Sequence, residues 1–184
     1  MSFVANENDI ITTALTAGGQ GATASTVYGD YSAYKAFNRY ADSDDQWSAN
    51  GSGDQWLKID LTLTPQGIHS ASLTSYNVYA RSNGYESYNM NTWVLAGSNN
   101  DIDYTTIDTQ TDLSWSNGEE KMFTLGSPTS PYRYFRITGS SPSGNPDIGE
   151  LQLIGALCQM PSCYFLSRRD RMDMRAVSNR NQLA

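Results

Sequence analysis

The sequence predicts an all-β domain, a two-sheet antiparallel jelly-roll sandwich, with a short irregular or helical C-terminal tail. Three observations carry that reading. About eight short stretches alternate apolar and polar residues with the period of a strand. Segments rich in Gly, Ser, Asn, Asp and Pro separate them at spacings typical of a sandwich or jelly roll. No segment before residue 157 repeats apolar residues at helical spacing. With 184 residues the chain is long enough to bury one sizeable core. Its 12 Tyr and 4 Trp, beside frequent β-branched residues, set it apart from disordered chains.

Along the chain, "IITTALTAG" and "ATASTVYG" read as two short strands split by "GGQG". The acidic loop "NRYADSDDQW" follows. In "DQWLKIDLTL", Leu57, Ile59 and Leu61 share one face, and Lys58 and Asp60 the other. "SASLTSYNVYARS" sets Tyr76, Val78 and Ala80 against Asn77, Tyr79 and Arg81. The next loop, "SNGYESYNMN", is polar and aromatic. "TWVLAGSNN", "DYTTIDTQ" and "KMFTLG" are further strands. "YRYFRITG" turns Phe135 and Ile137 one way, and Tyr134 and Arg136 the other. "IGELQLIG" closes the β region. Residues 157–184 break the pattern, and "RRDRMDMRAV" within them reads as a short helix. The expected organisation is a β domain over 1–156 and a basic tail over 157–184.

The formal net charge of −7 argues against generic nucleic-acid binding. Residues 157–184 hold five arginines against Asp170 and Asp173, a local +3 that leaves −10 on the remainder. Such a tail suits docking on a partner chain; a solvated terminus is the plainer alternative. No stretch approaches the ~20 apolar residues of a membrane span. The N-terminus lacks the basic and apolar regions of a secretory signal. Cys158 and Cys163 stand close enough for a small loop disulfide, although an intracellular start favours thiols. His69 is the one histidine, and there is no G-x-S-x-G and no glycine-rich phosphate loop, so the chain is not expected to be an enzyme.

Asp42, Asp44 and Asp45 repel one another unless a cation sits among them. Calcium takes oxygen ligands on a shaped loop, which this stretch supplies; a turn with solvated aspartates is the alternative. Two loops offer the aromatic faces and planar polar groups that sugars use: Tyr85, Glu86, Tyr88 and Asn91 in one, Trp115 and Asn117 in the other. Tyr85 and Tyr88 serve equally well as loop-packing or interface residues. Trp47, Trp56 and Trp93 read as core or loop anchors.

The order and spacing of "KAFNRYADSDDQW", "QWLKIDL", "SYNVYARS", "TWVLAGSNN", "YRYFRITG" and "IGELQLIG" over residues 5–156 resemble the discoidin-like domain. This is the coagulation factor five/eight type C domain, a galactose-binding-like jelly roll that includes many bacterial carbohydrate-binding modules. The resemblance implies that the first loop and the last strand meet around one structural calcium ion. Its ligands would be the carbonyls of Lys35 and Tyr40 with the side chains of Asn38, Asp45 and Glu150. Asn38 stands where the family usually has Asp, Asp45 where it usually has Thr or Ser, and the loop is longer than usual. The resemblance also implies that Arg81 touches ligand, but the histidine that often accompanies it in galactose-binding members has no counterpart nearby.

The expected function is non-catalytic binding of a cell-surface glycan through Arg81, Tyr85, Tyr88 and Asn91. The expected setting is a phage tail, another virion component or an extracellular appendage, in which the chain is part of an oligomer or larger assembly. The alternative is a structural assembly protein without glycan binding, since a tyrosine-rich surface also suits protein–protein contact.

Overall fold

A computed structural model describes residues 8–40 and 44–158. Asp42 of the acidic loop lies outside the described residues, as do Cys163, the expected tail helix and all five tail arginines. The fold is an all-β jelly roll. One sheet contains β1 (Ala22–Ala24), β3 (Gln55–Asp60), β8 (Tyr134–Ser140), β5 (Thr92–Ser98) and β6 (Thr105–Gln110), in that spatial order. The second contains β10 (Glu150–Cys158), β4 (Ser70–Tyr79) and β7 (Glu120–Thr124). A two-stranded ribbon joins β2 (Trp47–Ser48) to β9 (Asp147–Ile148). Every paired strand is antiparallel.

The predicted alternation sets the core. Leu57, Ile59, Trp93, Leu95, Phe135 and Ile137 face Leu73, Tyr76, Val78, Leu151 and Leu153 across the two sheets, all buried. Removing this apolar surface from water is the main stabilising term. Trp47 and Trp93 are core residues, whereas Trp56 is half-buried with the Lys58 ammonium over its ring.

One sequence expectation needs correction. "IITTALTAG" is not a strand. Asp9 makes one bridge to Ile154, the Ile10 amide bonds the Leu153 carbonyl at 2.8 Å, and the chain then leaves β10. Ile10, Ile11 and Leu15 are buried one by one instead of alternating on a sheet face. Asn77 and Gln152 lie on the side of their sheet opposite the core yet are buried. The N-terminal segment crosses them there: Asn77 donates to Gln152 at 3.1 Å and Gln152 to Asp9 at 3.3 Å. Beside this crossing β4 bulges at Thr74, opposite the Ile154–Gly155 step of β10, and any Cβ on Gly155 would collide with the Ser72 carbonyl oxygen.

Candidate functional site

β4 ends at Tyr79 directly opposite Glu150, the first residue of β10. The β2–β9 ribbon closes the same end of the sandwich, because the Gly149 amide bonds the Tyr79 carbonyl at 2.9 Å. The loops flanking these strands therefore gather at one pole. They enclose an open concavity of about 350 Å³. Tyr28 and Tyr31 line it as a stacked pair, with centroids 6.4 Å apart and an interplanar angle of 11°. Tyr85 and Tyr88 line it as an edge-on pair, with centroids 6.1 Å apart. Arg81, Ser48 and Asn145 complete the lining. Tyr28 is 50% exposed and Tyr85 56%, so their rings are available to a ligand.

Arg81 is held from several directions. Its amide bonds the Asn89 side-chain oxygen at 3.0 Å, and its carbonyl accepts from Gly118 at 3.0 Å. Its Nε donates to Asn83 at 2.6 Å, and its Nη1 pairs with Asp147. The guanidinium carbon lies 5.2 Å from the Tyr85 centroid. The loop is tied to its neighbour by the Gly84 amide, which bonds Asn117 at 2.8 Å; Gly84 has φ +81°, a conformation that suits glycine. Asp147 is fully buried. Burial pushes its carboxyl up to about 6, with the Ser48 side chain and the Arg81 charge offsetting part of that rise. The Arg81 charge is thus already matched by a carboxylate beneath the pocket.

The expected metal residues meet on the flank of this pole. A short 3-10 turn, Ala33–Phe37, delivers Asn38, and Arg39 follows at φ 67°, an uncommon value for a non-glycine residue. The Asn38 side-chain amide donates to Asp45 at 2.7 Å, and its oxygen accepts from the Tyr40 amide at 3.0 Å. The Lys35 ammonium reaches the Asp44 carbonyl at 3.3 Å. Glu150 is buried, with Oε1 accepting from the Arg39 amide at 3.2 Å and Oε2 lacking a hydrogen-bond partner among the described residues. Burial raises its carboxyl well above the usual range; the Arg39 and Asn38 amides oppose that, and the Asp9 charge adds to it. Among the described residues, no three His, Cys, Asp or Glu side chains cluster to hold a metal. A hard cation would instead rely on amide and carbonyl oxygens together with Asp45 and Glu150. An oxygen-only set with one buried, unpartnered carboxylate oxygen fits calcium.

The structure thus brings together Arg81, Tyr85 and Tyr88, and separately Asn38, Asp45 and Glu150. Asn91 does not line the concavity; its backbone bonds Ser140 and Leu113 at the start of β5. Trp115, considered above for sugar contact, packs against Trp93 and donates to the Met90 carbonyl at 2.7 Å. Sequence reasoning missed Tyr28, Tyr31, Ser48, Asn145 and Asp147. The run "VYGDYSAY" carried a signal in its spaced tyrosines. Nothing local in the sequence marks Asp147 as the partner of Arg81.

The F5/8 type C domain profile matches residues 21–151. No curated protein sequence matches the chain. Among solved structures, a fucose-binding module from Streptococcus pneumoniae has a TM-score of 0.63 at 13% identity, covering 83% of this chain and 100% of that one. The family 32 carbohydrate-binding module of NanJ from Clostridium perfringens, solved with galactose, has a TM-score of 0.58 at 20% identity, covering 73% of this chain and 95% of that one. A chitosan-binding module from a chitosanase/glucanase of a Paenibacillus species has a TM-score of 0.57 at 19% identity, covering 79% of this chain and 98% of that one. At such identities the likeness establishes the fold, and the profile match establishes the family. The chain belongs to the F5/8 type C, or discoidin, domain family.

Proposed function

We propose that the chain is a non-catalytic carbohydrate-binding module whose tyrosine-lined concavity takes an uncharged sugar of a cell-surface glycan. The observation that carries this is the meeting of two tyrosine pairs around an arginine already paired with a buried carboxylate. The rings offer apolar faces to the C–H side of a pyranose, and Arg81 offers donors to its hydroxyls. Because Asp147 matches the Arg81 charge, the pocket has, among the described residues, no unpaired cation to favour an acidic sugar. The resemblance to modules solved as binders of fucose and galactose supports the same reading.

A glycan array on the purified chain tests it directly. Tyr85→Ala and Tyr88→Ala should each weaken binding by ~1 kcal/mol or more if their rings stack on sugar. The melting temperature should stay close to the parent's for Tyr85→Ala, at an exposed ring, and fall only modestly for Tyr88→Ala, at a half-buried one, since exposed loop substitutions usually change stability by roughly ±0.5 kcal/mol or less. Early unfolding of both variants would show the tyrosines to be packing residues.

A structural calcium ion at Asn38, Asp45 and Glu150, with the carbonyls of Lys35 and Tyr40, belongs to the same proposal. Its role would be to hold the first loop against β10.

The setting we propose is a phage tail or another virion or extracellular appendage, with residues 157–184 docked on a neighbouring chain. The support is the +3 tail on a −10 body. Truncation after residue 158 should reduce the oligomeric size in sedimentation, and an unchanged size would reject the docking.

A further inference from the structure

A second cleft opens along the side of the sandwich and shares no residue with the tyrosine-lined concavity. It measures about 360 Å³ and lies between Thr106–Asp108 of β6 and the segment 124–132 that ends β7 and follows it. β6 and β7 are each the last strand of their sheet, so their outer backbone N–H and C=O groups lack a strand partner among the described residues. Asp108 is the one charged residue on the lining among the described residues.

Asp108 is set in place rather than freely solvated. It stands opposite Leu95 in the β5–β6 ladder, on the side that faces the core. Its Oδ2 accepts from the Tyr76 hydroxyl at 2.6 Å and from Gln110 Nε2 at 2.9 Å. The Trp93 indole in turn donates to the Tyr76 oxygen at 3.0 Å. This chain reaches from one sheet to the other and fixes the carboxylate while leaving Oδ1 without a hydrogen bond among the described residues. The Tyr132 ring borders the same cleft. It is held edge-on to Phe135 with centroids 6.2 Å apart and lies against Gly97, where any Cβ would collide with it.

We propose that this cleft is a second sugar-binding site, for an uncharged or amine-bearing pyranose. Asp108 Oδ1 accepts from a sugar hydroxyl or ammonium group. Tyr132 offers its ring, and the surrounding Ser and Thr hydroxyls and free strand edges complete the hydrogen bonding. Among the described residues no lysine or arginine lines the cleft, which disfavours acidic sugars.

The test is amide NMR of the whole chain titrated separately with methyl β-D-galactopyranoside, methyl α-L-fucopyranoside and methyl β-D-glucosaminide. At least one should give saturable shifts at Thr106, Asp108 and Gly126 that persist in Tyr85→Ala, which damages only the other concavity. Asp108→Asn should weaken those shifts about tenfold or more, through loss of a charge-assisted hydrogen bond. Because Asp108→Asn also touches the Tyr76 hydroxyl, Gly126→Trp provides an independent block; nothing lies within 4 Å of a Cβ built there. Saturable shifts lost in both variants support the site. Shifts confined to the Arg81–Tyr88 and Tyr28–Tyr31 loops would overturn it while leaving the proposed function standing. Cleft shifts unaffected by both variants would also overturn it, and silence at both places would reject both readings.

Discussion

Asp147→Ala is expected to destabilise the domain by roughly 3–5 kcal/mol, because it leaves the Arg81 guanidinium largely buried without its carboxylate. Sugar binding should disappear with it. The double variant Arg81→Met, Asp147→Leu separates the two roles: it should recover much of the stability and none of the binding. Recovery of binding in that variant would remove Arg81 from the site. Protonation gives a second readout. The Asp147 carboxyl is raised from 3.8 to about 6, so between those values the folded state holds the proton more tightly than the unfolded chain. The stability gained from that tighter proton binding is therefore fully present below pH ~4 and lost as pH rises through ~6. Denaturant melts of the parent and of Asp147→Asn across that window should show a steeper fall in the parent, since the raised Glu150 carboxyl contributes its own slope to both. Parallel curves would mean that Asp147 titrates normally.

Calcium added to chelator-stripped protein is expected to raise the melting temperature. At a hundredfold excess over the dissociation constant, an ion that binds only the folded chain adds ~2.7 kcal/mol. Asn38 supplies an amide where a carboxylate would bind more strongly, so an affinity near that of extracellular modules, ~10⁻⁴–10⁻³ M, is expected. Glu150→Gln keeps an acceptor for the Arg39 amide and removes the charge, and it should abolish the calcium response. A flat titration of the parent would leave the Asn38–Asp45 hydrogen bond as the whole function of that loop.

Strand alternation made most of the fold legible. Leu57 and Ile59, or Phe135 and Ile137, declare their buried face in a run of four residues. The two-residue strands β2 and β9 could not be read this way, because Trp47–Ser48 and Asp147–Ile148 are both wholly buried and carry no alternation. The burial of Asn77 and Gln152 was equally hidden, since it depends on a segment that arrives from Asp9, distant in sequence. Arg81, Tyr85 and Tyr88 were readable because one loop contains them all. Tyr28 and Tyr31 lie about fifty residues earlier and join them only through the β2–β9 ribbon, a tertiary event that local pattern does not encode.

β4 and β10 run the length of the sandwich, from the Tyr79–Glu150 pole to the Ser70–Cys158 end. A glycan held at Arg81 would pull on the tip of β4, and sequence attached beyond Cys158 would pull on the opposite end of β10. Tension between a surface-bound sugar and the rest of the polypeptide would therefore run parallel to these strands. It would load their nine-pair ladder in shear, so that its cross-strand hydrogen bonds resist together instead of unzipping one after another.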